Sequence, residues 1–125
     1  MYMKYIITLL SICICTIVMS QSRLTNTTFK KAISKGVTVV QFNANFNNKN
    51  GLHNLNDLNQ CHWHTVSIDL SPELKKKYKI YAVPTIIVFY NGYVEQKFKG
   101  NIMLELDVTT SDIQAVIDKL LLNKF

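Results

Sequence analysis

Residues 78 to 100 read YKIYAVPTIIVFYNGYVEQKFKG, and this stretch sets the architecture. TIIVFY, residues 85 to 90, is an unbroken run of apolar and β-rich residues, the composition of a strand covered on both faces. Asn91-Gly92 follows it. That dipeptide between two β-rich runs is a strong signal for a tight hairpin turn, so YVEQKFKG is expected to return as an antiparallel partner. Val83-Pro84 stands immediately before the pair.

Working outward, SPELKKKYKI (71–80) reads as a short helix, with Ser71 as N-cap, Pro72 at the first helical position and Glu73 in the first turn. HTVSIDL (64–70) alternates into a strand ending at Asp69. Further back, Leu52, Leu55 and Leu58 at spacing three predict a helix. VTVVQF (37–42) predicts a central strand. TNTTFKKAISKG (25–36), with Phe29, Ile33 and a closing Gly36, predicts a short amphipathic helix. Towards the C-terminus, SDIQAVIDKLLL (111–122) opens with Ser111 and Gln114 as a capping box and places Ile113, Val116, Ile117, Leu120 and Leu121 on one face. Helices and strands alternate and end in a β-hairpin and a helix. This order predicts an α/β domain of three layers, a mixed sheet of about four strands flanked by helices.

The chain of 125 residues allows one domain. Its first 20 residues carry a single charge, Lys4, then an apolar run from Tyr5 to Met19 and a small residue at Ser20. That is the layout of a secretory signal, with cleavage expected between Ser20 and Gln21. The run is shorter than the roughly 20 residues that span a bilayer, so removal is expected, and membrane association only if the signal is kept. The division is thus a signal over 1–20 and a domain over 21–125, with a secreted or periplasmic destination. Cys13 and Cys15 would leave with the signal, and Cys61 would remain as a lone thiol with no internal disulfide partner. Stability must then come from a packed core.

Net charge is +6, or one less without Lys4. The densest run, Lys75, Lys76, Lys77 and Lys79, falls in the predicted helix. It reads as a solvated face matched to the helix dipole. With no arginine or aromatic interleaving, nucleic acid is not an expected partner.

YKIYAVPTIIVFYNGYVEQKFKG resembles the second half of a thioredoxin, in which a cis-proline precedes a buried strand and a Gly-containing hairpin. VSIDLSPELKKKYKI fits just upstream, and with VVQFNANF the likeness runs from about Phe29 to Leu122. The resemblance implies a Trp-Cys-x-x-Cys stretch where the first strand meets the next helix, since a thiolate at a helix N-terminus is stabilised there and attacks disulfides. In this chain Phe46 takes the aromatic position, and Asn47 and Asn50 stand at the positions of the two cysteines. The family's buried carboxylate and its neighbouring lysine are replaced by Gln41 and Thr65. Four positions of one mechanism are altered together, so no dithiol chemistry is expected. What the resemblance leaves is a binding surface: in the family, the residue before the cis-proline pairs its backbone with an extended peptide. Phe46, Asn47, Val83 and Pro84 are the expected binding residues.

Residues 100 to 110, GNIMLELDVTT, depart from the family, which has a shorter link there. Alternation of Ile102, Leu104 and Leu106 predicts an extra edge strand or extended flap. Its apolar residues would pad the core, or else offer a docking edge. CHWH (61–64) contains metal-ligand residue types, but in an extended segment His62 and His64 point to one face while Cys61 and Trp63 point to the other. No metal site and no cofactor are expected, and Trp63 is expected to pack in the core. The reading is an exported, non-catalytic accessory module for an extended peptide or protein partner. The alternative is a thiol-disulfide oxidoreductase or redox chaperone acting through Cys61.

Overall fold

The computed structural model describes residues 26–123. The expected signal, its cleavage site, Cys13 and Cys15 lie outside the described residues. In chain order the elements are α1 (Asn26–Ala32), β1 (Val37–Asn43), two 3-10 turns (Asn45–Asn50 and Leu55–Asp57), β2 (His62–Ser67), α2 (Pro72–Lys77), β3 (Thr85–Tyr90), β4 (Tyr93–Lys99) and α3 (Thr110–Asn123). The strands form one mixed sheet in the order β2-β1-β3-β4. β1 runs parallel to β2 and antiparallel to β3, and β3 pairs antiparallel with β4. β1 and β3, the two most apolar runs, take the two central places, where both faces are covered. The fold class read from the sequence is the one observed.

Residue alternation along β1 and β3 divides the core between the two faces. On one, Val40, Phe42, Ile87 and Phe89 pack against Phe29 of α1, Ile33 just after it and Leu74 of α2. Phe29, Phe42, Tyr78 and Phe89 form a cluster of rings with centroids 5.4 to 6.0 Å apart, in tilted and edge-on pairs. α1 has only seven residues, too few to be helical alone, so the burial of Phe29 and Ile33 is what holds it. On the other face, Val37, Val39, Ile86 and Val88 meet Ile113 and Ile117 of α3 together with Leu55 and Leu58. The lysines of α2 are exposed, as expected, and lie in its last turn.

The hairpin turn forms at Asn91 and Gly92, both at positive φ (49° and 88°). Asn91 also clasps the α1–β1 connection: its N–H donates to the Gly36 carbonyl at 3.0 Å, and its Oδ1 accepts from the Gly36 N–H at 2.7 Å.

Four local expectations are corrected. The helix over Leu52 to Leu58 is replaced by the second 3-10 turn and irregular chain, although Leu55 and Leu58 are buried as their spacing required. At the start of this segment the Leu52 backbone is bonded to a side chain instead of a helical partner: the Gln41 Oε1 accepts its N–H at 2.7 Å. The cap of α3 is Thr109 with Asp112, not Ser111 with Gln114. The Asp112 carboxylate accepts from the Thr109 N–H at 2.8 Å, and the Asp112 N–H donates to the Thr109 hydroxyl at 3.4 Å. Residues 100–109 form no strand. They make a loop folded around Asn101, whose Oδ1 accepts the N–H groups of Met103 and Glu105. Leu106 packs on the core, but Ile102 and Met103 do not. Trp63 lies outside the core, 40% exposed on the edge strand β2.

Candidate functional site

β1 delivers Asn43 to the end of the sheet, and the first 3-10 turn carries Phe46, Asn47 and Asn50 beyond it. The turn is seated from the neighbouring loop, since the Asn45 N–H donates to the Asp69 carboxylate at 2.7 Å. Asn47 is buried, 3% exposed. Its Nδ2 donates to the Asn43 Oδ1 and to the Leu104 carbonyl, both at 3.1 Å, and its Oδ1 accepts from the Asn50 Nδ2 at 2.9 Å. Its own carbonyl accepts from the Asn43 Nδ2 at 2.9 Å. The two amides standing where the resemblance implied sulfurs are therefore bonded to each other and tie three segments together. Both hydrogens and the oxygen of the Asn47 amide are engaged, as a buried polar group requires. Phe46, beside them, is 76% exposed.

The Val83–Pro84 peptide bond is cis, as the resemblance implied. Val83 and Pro84 are both buried as residues, yet no backbone hydrogen bond among the described residues involves Val83. The Pro84 carbonyl instead accepts the Gly100 N–H at 2.7 Å. Gly100 is tightly enclosed there, since a Cβ on it would meet the Val83 carbonyl oxygen at 2.6 Å. The chain from Gly100 to Leu104 thus starts at Pro84 and finishes at Asn47, joining the two parts of the expected binding surface. Ile102 (97% exposed) and Met103 (70%) project from this bridge. The sequence left open whether these side chains padded the core or faced outward, because alternation alone does not say which face turns inward.

Gln41 and Thr65 are paired across β1 and β2. The Gln41 side chain bonds the neighbouring loop. Its Oε1 accepts the Leu52 N–H at 2.7 Å and its Nε2 donates to the Leu52 carbonyl at 3.2 Å, so the amide fastens the loop that replaces a helix.

Cys61 lies just before β2, at the end of the parallel pair opposite to Asn43. At roughly 3.3 Å per residue this separates it from the asparagine turn by about 15–20 Å, beyond any disulfide reach. It is half-buried against the α3 side of the core, and burial pushes its thiol pKa up. Among the described residues no three His, Cys, Asp or Glu side chains converge as metal ligands do. Burial, and then the neighbouring His62, lower the pKa of His64.

These elements define a fold: the sheet order, the helices on both faces and the cis-proline beside the end of β1 are those of the thioredoxin fold. Solved structures agree. A mutant thioredoxin from Halobacterium salinarum superposes with a TM-score of 0.65 at 16% identity, covering 78% of this chain and 88% of that one. Plasmodium falciparum thioredoxin gives 0.62 at 21% identity, with 78% and 97% covered. A chain from a study of thiol resolution in yeast mitochondrial 1-Cys peroxiredoxin gives 0.60 at 20%, with 79% and 95% covered. No family model and no curated protein sequence matches the chain. The likeness is one of fold, and the site has to be read from its own residues.

Proposed function

We propose that this chain is an exported accessory module that holds an extended peptide segment of a secreted or envelope protein and performs no dithiol exchange. The observation that carries this reading is Asn47: a buried amide with every polar atom bonded occupies the place where a thiolate would have to form. An amide has no ionisable proton and no nucleophilic sulfur. The Val83 backbone makes no hydrogen bond among the described residues, while Phe46, Ile102 and Met103 supply exposed apolar surface. Main-chain pairing gives such a surface affinity, and flanking apolar side chains give it specificity. Thiol chemistry through Cys61 has the burial of that thiol and its distance from this surface against it.

Insulin reduction by the purified chain tests the negative half: no turnover is expected, and turnover that disappears in Cys61→Ser overturns it. For the positive half, peptides selected by display on the wild-type chain are expected to lose at least about tenfold in affinity, or about 1.4 kcal/mol, on Phe46→Ala or Met103→Asp. Equal binding to both variants places the partner elsewhere. N-terminal sequencing of the exported chain checks the destination, with Gln21 expected as the first residue.

A further inference from the structure

The face of the sheet that β1 and β2 share beside the 3-10 turns is incompletely covered. Register pairs Val39 with Trp63, Gln41 with Thr65 and Asn43 with Ser67, so these residues lie on one face. With irregular chain in place of a helix above them, a cavity of about 270 Å³ remains. This is close to the lower end of the range, roughly 300 Å³, from which small-molecule clefts begin, and fits one ring-sized unit.

The chemistry of its wall is selective. No Asp, Glu, Lys or Arg lines it, in a chain of which 18% of residues are charged; its one titratable side chain is His53, whose Nε2 lies 3.2 Å from the Lys49 carbonyl. A charged ligand entering it would lose hydration with no carboxylate, ammonium or guanidinium to offset the loss. Leu52 and Leu55 give it an apolar part, and Trp63 offers a half-exposed indole. Gln41 and Asn43 are committed to the surrounding backbone and keep the walls in place. Other polar groups are uncommitted: the Asn48 amide, the Thr65 hydroxyl and the Trp63 Nε1–H have no hydrogen-bond partner among the described residues. An indole beside neutral donors and acceptors suits a ligand with one apolar C–H face and a rim of hydroxyls.

We propose that this cavity is a binding site for a neutral saccharide unit, with Trp63 stacked on the sugar ring and Asn48 and Thr65 bonding its hydroxyls. It lies on the sheet face beside β2 and borders the turn that carries Phe46 through Asn45 and Asn48, but neither Phe46 nor Val83 lines it, and it does not depend on that reading. Binding of this kind would direct the module to a glycan-bearing partner.

Trp63 is the chain's single tryptophan, so its fluorescence reports on the site directly. The full chain is titrated with three neutral trisaccharides, maltotriose, chitotriose and mannotriose, and with glucuronate and glucosamine as charged probes. Expected is a saturable change with at least one trisaccharide, at a Kd near or below about 1 mM, with charged probes at least tenfold weaker. Asn48→Ala and Thr65→Val are each expected to weaken binding about tenfold while the melting temperature stays put. No saturable change with any trisaccharide overturns the proposal. So does a change that persists unaltered in both variants, or equal binding of the charged probes.

Discussion

The two faces of the same strand are built on opposite principles. Phe42 points into a face sealed by four interlocked rings under α1 and α2. Gln41 and Asn43, its immediate neighbours, point into a face where amides hold backbone and space is left over. Both are buried, yet the first is held by non-directional packing and the second by hydrogen bonds whose donors and acceptors must match. The first face therefore supplies stability, while the second supplies shape.

Substitutions along β1 put this contrast to the test. Phe42→Ala is expected to be the most damaging, costing about 3–5 kcal/mol from lost contacts and the cavity left behind, read as the shift in urea midpoint. A loss below 1 kcal/mol would show that the ring cluster is not the main support. Asn43→Leu removes partners from Ala44 and from both ends of Asn47, and leaving buried polar groups unmatched costs about 1–3 kcal/mol. Its signature is local: faster amide exchange in residues 44–50 and 101–105, with the β3–β4 hairpin unchanged. Gln41→Leu is expected to cost less, about 1 kcal/mol, because the freed Leu52 groups border a cavity that is open to solvent.

The smallest expected effect is a pH dependence on the ring-sealed face, to which His64 belongs through its pairing with Val40. Burial and His62 lower its pKa in the folded chain, so the unfolded chain binds more protons in the interval below the ordinary histidine value of about 6.5. Stability then rises with pH through that interval and is lost as pH falls through it. Melting temperature is expected to drop modestly from pH 7 to pH 5, with a shallower drop in His64→Gln. An identical slope in the two proteins would remove His64 as the cause.

The contrast also explains what the sequence disclosed. Packing writes a periodic signal, so β1, β3, the hairpin at Asn91-Gly92 and the inward residues of α3 could all be read from spacing. Phe29, Ile33, Ile113 and Ile117 are buried as their periods required. Hydrogen-bonded amides write no period. Leu52, Leu55 and Leu58 looked helical because the leucine spacing was right, while the Gln41 amide held the Leu52 backbone and the chain formed only a short 3-10 turn. Trp63 alternated correctly with its neighbours, but its face lacked the helix that would have covered it, so it lines a cavity. The Ser111 cap was displaced because Thr109 and Asp112 satisfy the same geometry two residues earlier in the chain.

The Gln114 amide accepts the Asn59 N–H at 2.7 Å and donates to the Asn59 carbonyl at 3.1 Å, much as Gln41 does to Leu52. In both places one side chain impersonates a peptide group and joins loop to scaffold. An amide can give and take simultaneously; a carboxylate can only take. Exchanging a single nitrogen for oxygen, glutamine to glutamate, would preserve outline and volume but turn one of the two contacts from attraction into repulsion, making these joints sensitive to hydrolytic ageing at the level of one atom.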